Sequence, residues 1–443
     1  MSEASPERHW AEAFAAAAPE RAGEPAWLES ARKAAIARFA ELGLPSRRHE
    51  EWRYTSAERI GRVPWRPAPA AALGAGGLDA FELALGEGPR LVFVNGRFAP
   101  GWSRREGLPA GVLAADARSR WEPEGAWLEP LLALPAALAD RAFAALAAAL
   151  APDAAVVRVG RDVALGPPLT VVFLSAPGAD AATTPRLVVE AEAGARLSLV
   201  EVHAGPAGAE RQLRNALGEI VVGPRAAVDH VRIQLDGAGA THLGHVHARV
   251  ARGGRYASRT VSLGAAVARL DLVVSLDGEG AEATLDGLYV TAGGQHSDNR
   301  TTVDHARPHG TSRELYKGVL AGHSRGVFSG KVLVRKGAQK TSAEQRNANL
   351  LLSGQAEADS KPQLEIEADD VRCSHGSTIG QLDEEALFFL RARGLDLAAA
   401  RALLVRAFAD EILAGVPGEG LRERLLAGVL AKLAAAGAAE AAS

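Results

Sequence analysis

Residues 369–380, DDVRCSHGSTIG, hold the single cysteine of a 443-residue chain, Cys373, with His375 two positions after it. Thiolate and imidazole are common soft-metal ligands and nucleophiles, so this is where chemistry is sought first. Two residues apart on a strand means one face, so the two side chains would point together. They make half a site. A tetrahedral or cluster site takes about four protein ligands, so a metal reading needs another chain. A nucleophile reading needs a base and an orienting partner, and no nucleophile motif surrounds Cys373. A buried thiol beside a turn histidine accounts for the pair with no chemistry at all.

Two other groups of ligand-type residues stand out. GGQHSDNRTTVDHARPHG puts His296, Asp298, Asp304, His305 and His309 within 14 positions, without the spacing of a known metal motif. A polar, hydrogen-bonded coil is the expectation there. THLGHVHARV places His245 and His247 on one strand face near His242, and these are expected to be surface histidines. GVFSGKV, residues 326–332, resembles a phosphate loop but lacks the four-residue gap between its glycines and the Ser/Thr after lysine. It is expected to be a strand turn, and no nucleotide site is expected.

Composition narrows the function classes. With 50 Lys+Arg against 53 Asp+Glu the net charge is −3, no footprint for nucleic acid or an anionic membrane. One cysteine forms no internal disulfide, and MSEASPERHWAEAFAAAAPE lacks the basic and apolar regions of a signal peptide, so a reducing, cytoplasmic setting is expected. No run of about 18 apolar residues suits a membrane span.

The elements that must position Cys373 and His375 fall into three territories. Residues 1–154 read as mixed helix and strand: Trp27, Leu28, Ala31, Ala35 and Phe39 recur at helical spacing, and Asn95-Gly96 between apolar runs signals a β-hairpin. A Pro/Gly/Ala-rich connector occupies residues 62–77. A second helical stretch, about 127–150, is kinked or broken at Pro135. Residues 155–380 change to short Val/Leu/Ile/Thr runs between Gly-centred turns, spaced near 30 residues at first and nearer 15 later. Such repetition over more than 200 residues fits a β-solenoid better than two β-sandwiches without a linker. Residues 381–443 return to helix: Asp383 caps EEALFFLRAR, Gly394 ends it, Leu404, Phe408 and Ile412 form a stripe on a second helix, and 420–436 make a third.

Taken together, SRRHEEWRYTS, VFVNGRF, HSDNRTTVDHARPHGTSRELYKGVL and NANLLLSGQAEADSKPQLEIEADDVRCSHGSTIGQLDEEALFFLRARGL resemble the SufB/SufD family of the Suf iron-sulfur cluster assembly machinery, and CSHG is similar to the SufD branch. The resemblance implies a mainly β fold: a right-handed parallel β-helix between an N-terminal α/β region and a C-terminal helical domain. It implies pairing with a SufB-like paralogue and docking of a SufC-like ATPase on the helices after Asp383; separately, an exposed solenoid edge is a template on which the chain could form a homodimer in isolation. It puts His375, with Cys373 as accessory, at a cluster site shared across the heterodimer. The resemblance further implies that the cluster is transient, that nothing is permanently bound and that the chain is not itself an enzyme; a flavin contribution is left open. Two rival readings remain: a structural adaptor with an inert Cys/His pair, and a β-helix carbohydrate enzyme using Asp298, Asp304 and Glu314.

Overall fold

The structure is a computed structural model that describes residues 5–74, 78, 88–208 and 210–441. Residues 75–77 of the connector read from the sequence lie outside the described residues.

The strands form two long sheets, of 11 and 10 strands, and from Arg186 onward consecutive strands alternate between them and every ladder is parallel. The result is a parallel β-solenoid of about eight turns. In the first sheet strands begin at Thr241, Val267, His296, Arg325 and Glu357, so a coil takes about 30 residues and each strand with its turn about half of that. Both spacings in the turn signals follow: one is the coil, the other a strand with its turn. Within a strand the side chains alternate. Leu270, Leu272, Val274 and Leu276 join the central core, while Arg269, Asp271, Val273 and Ser275 face outward. Strands covered on both sides need not look amphipathic, which is why these runs read as nearly continuous apolar texture. The phosphate-loop lookalike is no turn: residues 326–332 lie inside the strand Arg325–Val334, and the glycines are lumenal positions.

Asn95 and Gly96 carry positive φ and close a two-residue hairpin, Val94 pairing with Arg97. The helical stretch near 127–150 breaks into Gly125–Leu132, a 3-10 turn at Ala136–Leu138, and Ala142–Leu150. Ala142, Phe143 and Leu146 pack with Trp52 against Leu213 and Leu243, on the outer face of the first sheet.

The three C-terminal helices, Glu384–Arg391, Leu397–Leu413 and Glu419–Ala441, begin with Asp383 accepting bonds from the amides of Glu385 and Ala386. The buried stripe of the second helix is Val405, Ala409 and Ile412; Leu404 and Phe408 are half-buried at its margin, one position off the expected stripe. The stripe packs on Val231, Ile233, Val261, Leu288 and Val290 of the second sheet's outer face. On the last helix Lys432 donates to the carbonyls of Leu263 (2.7 Å) and Val290 (2.6 Å). Among the described residues, these helices cover the solenoid's flank and leave its end uncovered.

Candidate functional site

That uncovered end is where Cys373 and His375 lie. The terminal coil consists of Glu357–Ile366, last strand of the first sheet, and Arg372–Gly380, last strand of the second. Each has a neighbour on one side only, so a row of backbone groups is free to pair with another chain. Apart from half-buried Cys373, the strand Arg372–Gly380 is exposed throughout; its Ile379 and, on the other terminal strand, Ile366 are exposed apolar side chains. Cys373 pairs in register with Ala343 and His375 with Gln345, and both of those neighbours are buried lumenal positions. The thiol and imidazole therefore stand at the mouth of the lumen on one face. Burial pushes the Cys373 thiol up, with a bond from the Ala343 amide opposing it, so a metal there would have to displace a proton.

Behind His375 the lumen is polar. Gln345 Nε2 donates to Glu314 Oε2 (3.2 Å), and Thr301 Oγ1 donates to the same oxygen (2.7 Å). Deeper in, Glu201 accepts from His203 (2.7 Å) and His230 (2.9 Å), and Arg214 donates to Asp236 (2.8 Å). Burial alone would raise Glu201 and Asp236, but Arg232 beside one and Arg214 beside the other hold both well below the usual carboxylate range. Glu314 has no such neighbour, and burial pushes its carboxyl up to about 7. Periodicity hid this column, because Glu314, Gln345 and His375 are 31 and 30 positions apart in sequence and adjacent across the ladder. Coil-by-coil alignment of the turns was the signal that could have found it.

The other ligand-type residues are separated or committed elsewhere. His242, His245 and His247 are buried, not on the surface as expected. The first faces the lumen and bonds Asp236 (2.7 Å), and His247 faces outward onto Glu219 and Ser275, beneath the N-terminal layer. In the second group His305 is lumenal and bonded to Ser312 (2.9 Å), Asp304 pairs outward with Arg335, and His309 sits in a turn at φ 60°. His296 and Asp298 both bond Thr55 Oγ1, at 2.8 and 2.6 Å. Arg269 is wedged between Asp298 (2.5 Å), Asp271, the Glu51 carbonyl and the Trp52 ring, 4.1 Å from its centre. So HEEWRYT is a brace laid over the first sheet, received by His296 and Asp298 and, on the neighbouring strand, by Arg269. Among the described residues no group of three His, Cys, Asp or Glu could hold a metal. Asp298 and Asp304 face outward and Glu314 faces the lumen, so the acids of the carbohydrate-enzyme reading lie on opposite sides of the wall.

The flank bears a further surface. Phe388, Phe389, Leu397 and Leu403 are exposed on the C-terminal helices. A cleft of about 570 Å³ lies between those helices and the last coils, lined by Leu351, Leu382, Leu387, Val405, Leu430 and Leu433. No helix of the described residues is long and apolar enough to cross a membrane.

Residues 173–408 match the family model for the SUF system FeS cluster assembly, SufBD core domain. An iron-sulfur cluster assembly SufBD family protein of Synechocystis is 32% identical over 406 residues, 90% of this chain and 89% of the relative. The Escherichia coli iron-sulfur cluster assembly protein SufD is 31% identical over 396 residues, 88% and 90% of the two chains. A Mycobacterium tuberculosis SufBD family protein is 40% identical over 219 residues, 48% of this chain and 55% of the relative.

Proposed function

The chain belongs to the SufBD family of iron-sulfur cluster assembly proteins, and from that premise we propose that it is a SufD-type scaffold subunit, not a catalyst, on which a nascent cluster is held and passed on. The observation that carries the reading is the incompleteness of the open end. Cys373 and His375 share one face of an edge strand, so a second chain can complete both the ladder and the ligand set. A SufB-like paralogue is the partner proposed for that end, with a second copy of this chain taking its place in isolation.

The cluster is cargo, and the donor set fits that role: one imidazole and one thiol are too few to retain a cluster alone, yet enough to contribute to a shared one. His375 is the proposed ligand because it is exposed; Cys373, half-buried with a raised pKa, is accessory. The exposed Phe388 and Phe389 and the cleft beside them support docking of a SufC-like ATPase, whose cycle would open or rearrange the interface at the solenoid end. The complex is proposed to work in the cytoplasm.

A structural adaptor would bind the same two partners, so metal chemistry separates the readings. The test is anaerobic reconstitution of the three-subunit complex with ferrous iron and sulfide, followed by visible absorption. The scaffold reading expects the sulfide-to-iron bands to be lost in an intact His375→Ala complex. Bands of unchanged intensity would make the chain an adaptor.

A further inference from the structure

Among the described residues the lumen holds three buried carboxylates, and they are treated differently. Glu201 is paired with Arg232 and Asp236 with Arg214, so each negative charge is met by a guanidinium. Glu314 is 1% exposed and, among the described residues, has no cationic partner. An uncompensated buried carboxylate costs several kcal/mol unless it is neutralised, by a proton or by a bound cation.

The neighbouring groups favour the cation. Oε2 of Glu314 accepts from Thr301 and Gln345, while Oε1 is buried with no partner. The side-chain oxygen of Gln345, a residue with no exposed surface, is likewise without a partner. Room for this amide is built into the wall: a Cβ at Gly330 on the facing sheet would come within 2.2 Å of Gln345 Nε2. Carboxylate, amide carbonyl and hydroxyl oxygens are the donors that hard divalent cations take. The position lies directly behind the mouth, with Gln345 between it and His375. Glu314, Gln345 and His375 occupy one register column on three successive strands, so Glu314 is two ladder steps, roughly 10 Å, from His375.

We infer that Glu314 and Gln345 form an inner cation subsite, one that holds ferrous iron in the lumen behind His375. This rests on the cluster-assembly reading for the identity of the cation, though not for the existence of the site. The subsite is a binding station only; no bond is made or broken there beyond metal coordination.

The test is equilibrium dialysis of the metal-free full-length chain under argon, with ferrous ammonium sulfate and, as a redox-inert probe, manganese chloride read by electron paramagnetic resonance. The wild type is expected to take up one equivalent of either ion. Glu314→Gln, nearly isosteric, is expected to weaken binding on the order of 10- to 100-fold, and Gln345→Met by a smaller factor. His375→Ala is expected to keep it. Should Glu314→Gln fail to fold, Gln345→Met is read alone against wild type. Absence of binding by the wild type, or equal binding by the wild type and both variants, would overturn the subsite. These outcomes are independent of cluster yield in the His375→Ala complex, so the subsite and the scaffold reading can fail separately.

Discussion

Gln345 and His375 are register partners on neighbouring parallel strands, one sealed inside the solenoid and the other exposed at its open end. The step from buried to accessible takes place across a single ladder spacing of about 4.8 Å. Interior polarity and exterior chemistry thus share one column of side chains, and the predictions that follow probe the elements that hold it.

Gly330 has no side chain because Gln345 and Phe328 fill the space: an added Cβ would lie 2.2 Å from Gln345 Nε2 and 2.7 Å from Phe328 Cζ. Gly330→Ala should therefore cost about 1–3 kcal/mol, the range for forced overpacking. Urea denaturation followed by circular dichroism measures it, and an unchanged midpoint would mean that the wall relaxes freely.

The brace over the first sheet depends on Trp52, 5% exposed and stacked on Arg269. Trp52→Ala should lose about 3–5 kcal/mol. Thr55→Ala, which strips Asp298 of its 2.6 Å bond, should lose about 1–3 kcal/mol. Thermal unfolding of both variants checks the order, and a Thr55→Ala loss exceeding that of Trp52→Ala would contradict it.

Acid should destabilise the fold early. Burial holds His203 down to about 3 and His242, His245 and His305 to about 4, so these rings stay neutral in the folded chain. In the unfolded chain they take up protons near pH 6.5. The unfolded state then binds more protons between about 6.5 and 4, and stability falls as pH is lowered through that window. Asp153 and Glu314, pushed up to about 7 by burial, bind protons more readily when folded and oppose the trend, as do Asp140, Glu190 and Asp286, which burial also raises, while His296, lowered by burial, adds a fifth imidazole to the trend. Urea midpoints at pH 7 and pH 5 decide the matter: the lower value is expected at pH 5, and equality would show that the imidazoles are solvated.

Phe388 is 75% exposed, so Phe388→Ala should change stability by less than about 0.5 kcal/mol. Loss of an exposed aromatic anchor should weaken binding of a SufC-like ATPase by about tenfold, near 1.4 kcal/mol. Titration of the labelled ATPase reads this, and unaltered affinity would move its docking surface elsewhere.

The solenoid, the hairpin at Asn95-Gly96 and the cap at Asp383 were legible in the sequence because each has a local signature: turn repetition, an obligatory positive φ, a side chain placed to meet free amides. The pairing of Cys373 with His375 on one face needed nothing more than strand alternation. What escaped was set by contacts far apart in the chain. His242, His245 and His247 read as surface residues because nothing local shows that Asp236 meets one of them in the lumen or that the N-terminal layer lies over the others. Leu404 and Phe408 missed the buried stripe by one position, since Val405, Ala409 and Ile412 are chosen by the tilt of the helix on the sheet. Glu314 looked like a groove acid until the register turned it inward.

The most direct test of the central claim is pulsed electron paramagnetic resonance on the reduced cluster of the anaerobically assembled complex, with ¹⁵N-histidine incorporated into this chain alone. Ligation by His375 predicts a ¹⁵N hyperfine coupling in the wild-type complex that disappears in His375→Ala. A cluster spectrum without that coupling, or one identical in the variant, would contradict the assignment of this chain to the cluster-building site.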